Sequence, residues 1–269
     1  MDIRKIILFP KLTLLVIAII TLSWVPVNSV NEHHYKANKE NSALTPLKLL
    51  ESETSAIYEN IKLANVGLSF DVFEEAYIGF LNLKNLEKIS EDASILSIAD
   101  FDQSSKTKRL WILDLKNDSL LLNTWVSHGR GSGNDMATKF SNLNNSYQSS
   151  LGFYVTGEVY NGKHGRSLRL DGMDNGFNDN ARNRAIVLHG APYVSSQAIK
   201  SLNRLGLSHG CPAVPVELTD QIIDLIKEKT VLYIHADSPA YHSVYLNSEE
   251  AGKRLLAYTS LDSTFQVGI

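Results

Sequence analysis

The sequence predicts a mainly β domain with peripheral helices (α+β), preceded by a small helical segment. Three observations predict it. After about residue 89 the chain falls into short runs rich in Ile, Leu, Val and Trp, separated by Gly, Asn and Asp, which is the pattern of strands and turns. Before that point, apolar residues recur at helical spacing. The 269 residues are 43% hydrophobic and 20% charged, enough apolar chain for a core and too much for a disordered protein.

The elements follow in order. Residues 1–29 open with Arg4, Lys5 and Lys11 and continue into an apolar run from Leu12 to Val27. Val27 and Ser29 precede a plausible cut before Val30, so the segment reads as an export signal peptide, with an uncleaved membrane anchor as the alternative. Residues 30–43 are polar and read as a tether. In the helical segment 44–89, Leu47, Leu50, Ile57 and Ile61 mark a first helix over 44–63. A second runs over 72–86, with Asp71 as its cap and Glu74 three residues on.

Strands are expected at 94–101, 109–115, 120–126, 151–159, 185–189 and 230–235, within a mainly β domain spanning 90–236. Asn117 and Asp118 supply a hairpin turn between the second and third. Two long Gly/Asn-rich stretches, 129–150 and 161–184, are expected as loops and, together, as a lid. A short helix capped by Ser195 or Ser196 ends before Gly206, and another covers 216–227. Residues 237–269 form a C-terminal extension.

A formal charge of −3 and a pI near 6.2 provide no basic field, so nucleic acid is not an expected partner. A membrane enters only through the possible anchor. Cys211 is the single cysteine, which excludes an internal disulfide framework and a multi-cysteine zinc finger. An unpaired thiol in an exported protein draws attention to its neighbours.

Those neighbours are Ser208, His209 and Gly210, and upstream, with eighteen residues between it and Ser208, His189 ends a predicted strand and is followed by Gly190. A thiol is mostly protonated at neutral pH, so a nucleophilic cysteine needs a base nearby, and an imidazole can serve. Gly210 permits close backbone approach, and its amide with that of Cys211 could cradle an oxyanion. The residues alone leave three readings open: thiol acyl transfer, an inert buried cysteine, and a metal site of His189, His209 and Cys211 completed by His128 or His164. His128 and His164 sit in glycine-rich stretches and are assigned loop roles. The acidic and amide run from Asp171 to Asn180 lacks calcium-loop spacing and reads as turn chemistry.

His-Gly, a spacer and then Ser-His-Gly-Cys resembles the signature of the murein L,D-transpeptidase catalytic domain. The branch with Cys-Pro-Ala-Val after the thiol is similar also in RLWILDL (109–115), NTWVSHGRGSG (123–133), SLGFYVTGEVYNGKHGRSLRLDG (150–172) and RAIVLHGA (184–191). The resemblance covers roughly residues 90–235. It implies a β catalytic fold acting on peptidoglycan stem peptides in the periplasm or cell envelope, with no metal and no cofactor. Cys211 would attack the L-centre carbonyl at stem position three and expel D-Ala, and another stem's amine would resolve the thioester as a 3→3 cross-link. His189 would be the base, Gly190 the carbonyl that orients it, His209 a site wall, Gly210 and Cys211 the oxyanion amides, and Ser208 the shaper of the turn. Water as acceptor would make the same acyl-enzyme an L,D-carboxypeptidase; an inactive cell-wall-binding protein is the remaining alternative. The spacer is one residue longer than the usual limit, and Ala213 stands where the wider family often has Arg or Asn. A polar substrate contact is therefore expected from Arg169, Arg182 or Arg184, with Tyr154 as a further substrate-binding candidate.

Overall fold

A computed structural model describes residues 45–266, with side chains through 259. The expected signal peptide and the whole of the tether lie outside the described residues. Eight strands form one mixed sheet: β1 (Ile95–Asp100), β2 (Leu110–Asp114), β3 (Ser119–Thr124), β4 (Gly152–Gly162), β5 (Gly165–Gly172), β6 (Val187–Gly190), β7 (Ala213–Val214) and β8 (Val231–His235). Their order is β3-β2-β1-β8-β4-β5-β6-β7. β1 with β8 and β6 with β7 are parallel pairs; the others run antiparallel.

Period-2 alternation splits the apolar residues between two cores. Leu96, Ile98, Trp111, Leu113, Phe153, Val155, Val231 and Tyr233 face one way. They pack against α1 (Pro46–Ile61) and α2 (Phe70–Asn85). Leu110, Ile112, Tyr154, Leu168, Leu170, Leu188, Leu232 and Ile234 face the other way, toward α4 (Thr219–Ile226), which follows the short α3 (Ser196–Leu202) in the chain. The Phe153 and Tyr233 rings stack at 4.3 Å in the first core, and Trp111, fully buried, donates its indole N–H to Val66 O at 3.0 Å. The helical segment therefore shares its core with the sheet.

Several expectations are corrected. Ser69, not Asp71, caps α2, its hydroxyl accepting from Val72 N–H at 3.4 Å; Asp71 lies in the first turn, where its charge meets the positive end of the helix. The stretch 161–184 is not a single loop, because β4 runs on to Gly162 and β5 takes up Gly165–Gly172. Charged and glycine residues mask that strand, but Leu168 and Leu170 alternate with Ser167 and Arg169 as a half-buried strand requires. The C-terminal extension contains α5 (Ser248–Gln266), preceded by a 3₁₀ turn at Val244–Leu246. Asn82 of α2 fixes that approach by donating to Tyr245 O and Asn247 O at 2.7 and 2.9 Å.

Candidate active site

β6 carries His189 to the sheet's end. Leu188 points into the second core, so its neighbours Val187 and His189 point to the opposite face, beside Ser167 and Arg169 of β5. His189 pairs with Ser167 on one side and with Ala213 of β7 on the other. That second pairing places Cys211 two residues before the strand that abuts the histidine. Both line a cleft of about 590 Å³, together with His164, Arg184, Tyr193 and His209.

The 208–211 turn is held from three sides. Ser208 N–H donates to His128 O at 3.0 Å, and Ser208 O accepts from Arg130 N–H at 2.8 Å. The Ser208 hydroxyl donates to Cys211 O at 2.6 Å and accepts the Gly210 N–H at 3.1 Å. Ser149 Oγ accepts from Gly129 N–H and donates to Gly210 O. Gly210 has φ +124°, and a Cβ there would stand 2.8 Å from Gln148 O, so both the backbone angle and the space require glycine.

Cys211 is half-buried; its thiol points at Ala185 O, 3.7 Å away. Ala185 has φ 54°, an uncommon left-handed conformation for a non-glycine residue at a site of chemistry. Burial pushes the thiol pKa up, while the Val187 N–H and the nearby Arg184 and Lys163 cations pull it down, and the balance is upward. His189 is buried, and its Nδ1 lies 2.9 Å from Gly190 O. A carbonyl only accepts, so Nδ1 carries the proton and Nε2 is left as the acceptor. Burial holds the His189 pKa below its ordinary value, against the opposing pull of that carbonyl.

Gly190 must lack a side chain, since a Cβ would fall 2.2 Å from Thr219 Oγ1 at the start of α4. His209 is exposed and packs edge-on against Tyr147 at 4.8 Å, with the Arg130 guanidinium over the other ring at 4.1 Å. Arg184 lines the cleft, but its guanidinium is committed to the 139–150 loop: it donates to Ser141 O (2.6 Å), Gln148 O (2.7 Å), Ser150 Oγ (2.5 Å) and Ser146 Oγ (3.1 Å). Arg169 lies over the Tyr160 ring at 4.5 Å and pairs with Glu158; it braces a cleft wall. Arg182 pairs with Glu158 and Asp171 away from the cleft lining.

Tyr154 is corrected outright. It is fully buried in the second core and donates its hydroxyl to Ser150 O at 3.0 Å, so no substrate reaches it. His128 is likewise interior: Nδ1 accepts from Arg109 Nη2 at 2.7 Å, and burial with that cation lowers its pKa to about 4. His164, given a loop role from sequence, stands in the cleft with its ring stacked on His189. Tyr160 and Lys163 also line the cleft and escape the sequence reading. The signal for Lys163 and His164 was the Asn-Gly-Lys-His-Gly run, a turn signature inside an otherwise alternating segment, and Tyr160 directly precedes it.

Among the described residues, one group could hold a metal ion, Asp100, Asp102 and His235, and it excludes Cys211. No described helix is long and apolar enough to cross a membrane.

Comparison with known proteins returns one family. Residues 64–235 match the L,D-transpeptidase catalytic domain. No curated protein matches the chain. Similar solved structures include an L,D-transpeptidase from Mycobacterium smegmatis, 14% identical over 54% of this chain and 59% of that one, with a TM-score of 0.33. The helical cell shape determining protein Pgp2 from Campylobacter jejuni is 12% identical over 68% and 63% of the two chains, TM-score 0.38. An L,D-transpeptidase from Stackebrandtia nassauensis is 13% identical over 72% and 93%, TM-score 0.33. The chain thus spans about three-fifths of the first two of these structures. With the family match covering well over half of the sequence and containing both His189 and Cys211, this chain belongs to the L,D-transpeptidase catalytic domain family.

Proposed function

We propose that the chain is an exported cell-envelope enzyme that transfers acyl groups on peptidoglycan stem peptides, with Cys211 as nucleophile and His189 as base. The observation that carries this reading is the His189 tautomer. Nδ1 is spent on Gly190 O, so Nε2 is the acceptor in the cleft that also holds the thiol. In the first step the Cys211 sulfur bonds to the L-centre carbonyl carbon and its proton passes to His189 Nε2. Collapse of the tetrahedral adduct breaks the peptide bond, and the departing D-Ala amine takes that proton. Gly210 N–H is held by Ser208 Oγ, so the amide of Cys211 itself is assigned to the developing oxyanion. The amine of a second stem then attacks the thioester, gives the 3→3 cross-link and returns the thiol. Neither metal nor cofactor is required by this sequence. Residues 1–29 act as the export leader in this reading.

The test is mass spectrometry of the protein incubated with tetrapeptide muropeptides, with Cys211→Ala alongside. D-Ala release with a cross-linked dimer, lost in the variant, is the expected result. Release with tripeptide alone would reassign the protein as an L,D-carboxypeptidase. Full turnover by Cys211→Ala would sink the nucleophile assignment.

A further inference from the structure

We propose that His164 is a positioning residue for His189: a hairpin-tip imidazole laid flat on the base, holding it in the plane from which Nε2 meets the thiol. This rests on the reading of Cys211 and His189 as nucleophile and base.

The chain builds the arrangement locally. Gly162 pairs with Gly165 across the β4–β5 hairpin, so Lys163 and His164 are its two loop residues. Neither has positive φ; Gly165 takes φ +77°, the left-handed residue that follows a type I turn in a bulged hairpin. A register slip between Thr156 and Val159 of β4 adds twist to the ribbon. Three residues beyond the tip, Ser167 pairs with His189, so the turn lies beside β6. The His164 and His189 ring centroids are 4.2 Å apart, with planes 20° from parallel. His164 is exposed and His189 buried, so the hairpin tip is the solvent-side cover of the base.

A cover of this kind supplies what the Gly190 carbonyl cannot. One hydrogen bond at Nδ1 fixes a single ring atom and leaves the ring free to tilt about it, whereas face contact fixes the plane. Stacking also excludes water and places a second imidazole where two positive charges would repel. The titratable groups around His189 are Lys163 and His164 from the hairpin, Cys211 and His209 from the 208–211 turn, Arg184, and the Tyr160 and Tyr193 phenols. Among the described residues no carboxylate lines the cleft, so apart from the Gly190 carbonyl nothing there stabilises an imidazolium before substrate arrives. His189 is thereby kept neutral and ready to accept the thiol proton.

The experiment uses the full chain and its His164→Ala and His164→Phe variants. Two readouts are taken: the titration midpoint of His189 by side-chain NMR, and kcat and KM for D-Ala release. In His164→Ala the His189 midpoint should rise toward 6.5 and kcat should fall about tenfold, with KM changing much less. Phenylalanine keeps a flat, uncharged face, so His164→Phe should restore kcat to within about threefold of the native enzyme and keep the midpoint low. An unchanged midpoint and kcat in His164→Ala would overturn the proposal. So would a phenylalanine variant as impaired as alanine, because the imidazole's own chemistry rather than its face would then be needed. If even the native protein releases no D-Ala, the functional reading fails, and the His189 titration still decides the positioning role.

Discussion

Replacing Arg184 with Met tests how the long 139–150 loop is tied to an arginine that lines the cleft. The perturbation removes one half-buried guanidinium that makes four hydrogen bonds to that loop. The two serine hydroxyls can turn to water, so the cost centres on the Ser141 and Gln148 carbonyls. Each carbonyl left without a donor costs about 1–3 kcal/mol, and water entering a half-buried site reduces that. The variant should therefore lose about 2–4 kcal/mol. In a domain of this size each kcal/mol lowers Tm by roughly 2–4 °C, so a fall of about 5–15 °C is expected. Hydrogen exchange at residues 141–150 should rise with it. The same cation draws the Cys211 pKa down, so the pH profile of Cys211 alkylation should move to higher pH. Arg184→Lys keeps the charge but not the fork, and should recover the alkylation profile without recovering loop protection. A loss under 1 kcal/mol with unchanged loop exchange would refute the account of the loop as an arginine-tied structure.

Two further outcomes are expected. His128, with its pKa lowered to about 4 from 6.5, contributes stability that is complete above pH 6.5 and drains away as pH falls toward 4; the loss is about 3 kcal/mol by linkage, and urea unfolding at pH 7 and 4.5 with side-chain NMR of His128 checks it. A His128 midpoint near 6.5 would remove the effect. Gly79→Ala should destabilise by about 1–3 kcal/mol, because its Cβ would stand 2.0 Å from Phe153 Cζ; Phe153→Leu in the same chain should relieve part of that cost in chemical denaturation, and full additivity of the two losses would contradict the packing argument.

The strands with strong apolar runs were legible because their signal is local. β1, β2, β4, β6 and β8 fall within a few residues of the expected segments. β5 was not, since its charged residues are spent on ion pairs (Arg166 with Asp220 and Asp224, Arg169 with Glu158, Asp171 with Arg182), and only Leu168 and Leu170 reveal the buried face. β7 is two residues long and exists because Ala213 and Val214 pair with His189 and Gly190, a non-local fact. The structure brings His189, Ser208, His209 and Cys211 into one cleft, whereas spacing and residue type alone left thiol chemistry, an inert cysteine and a metal site open, and the family resemblance chose among them. The fates of the arginines and of Tyr154 were not legible in the sequence. Tyr154 looks like any strand tyrosine until the register of β4 with β5 and β8 decides which face it takes. Arg184 reads as a free cation until residues 141–150 fold back onto it.

The resting state of the thiol follows from these placements. Many reactive cysteines sit as a thiolate beside a histidine cation, which requires a depressed thiol pKa and a supported imidazolium. Here the two groups are pushed the opposite way: burial raises Cys211 and lowers His189. Among the described residues no carboxylate lines the cleft to hold the imidazolium, and the Nδ1 partner is a neutral carbonyl. The pair therefore rests as thiol and neutral imidazole, with the thiol hydrogen directed to Ala185 O. Oxidation and alkylation proceed through the thiolate, so such a pair is chemically quiet until a carbonyl is in place to accept the sulfur. For the exported acyltransferase proposed above, that reconciles a single unpaired cysteine with a compartment that oxidises thiols, and in the proposed mechanism it sets a division of labour. The cations near the sulfur, Arg184 and Lys163, lessen the cost of forming the thiolate, while the buried base with its stacked cover supplies the acceptor for the proton. Reactivity then depends on substrate closing the distance between two neutral groups, not on a charge separation stored in the free enzyme.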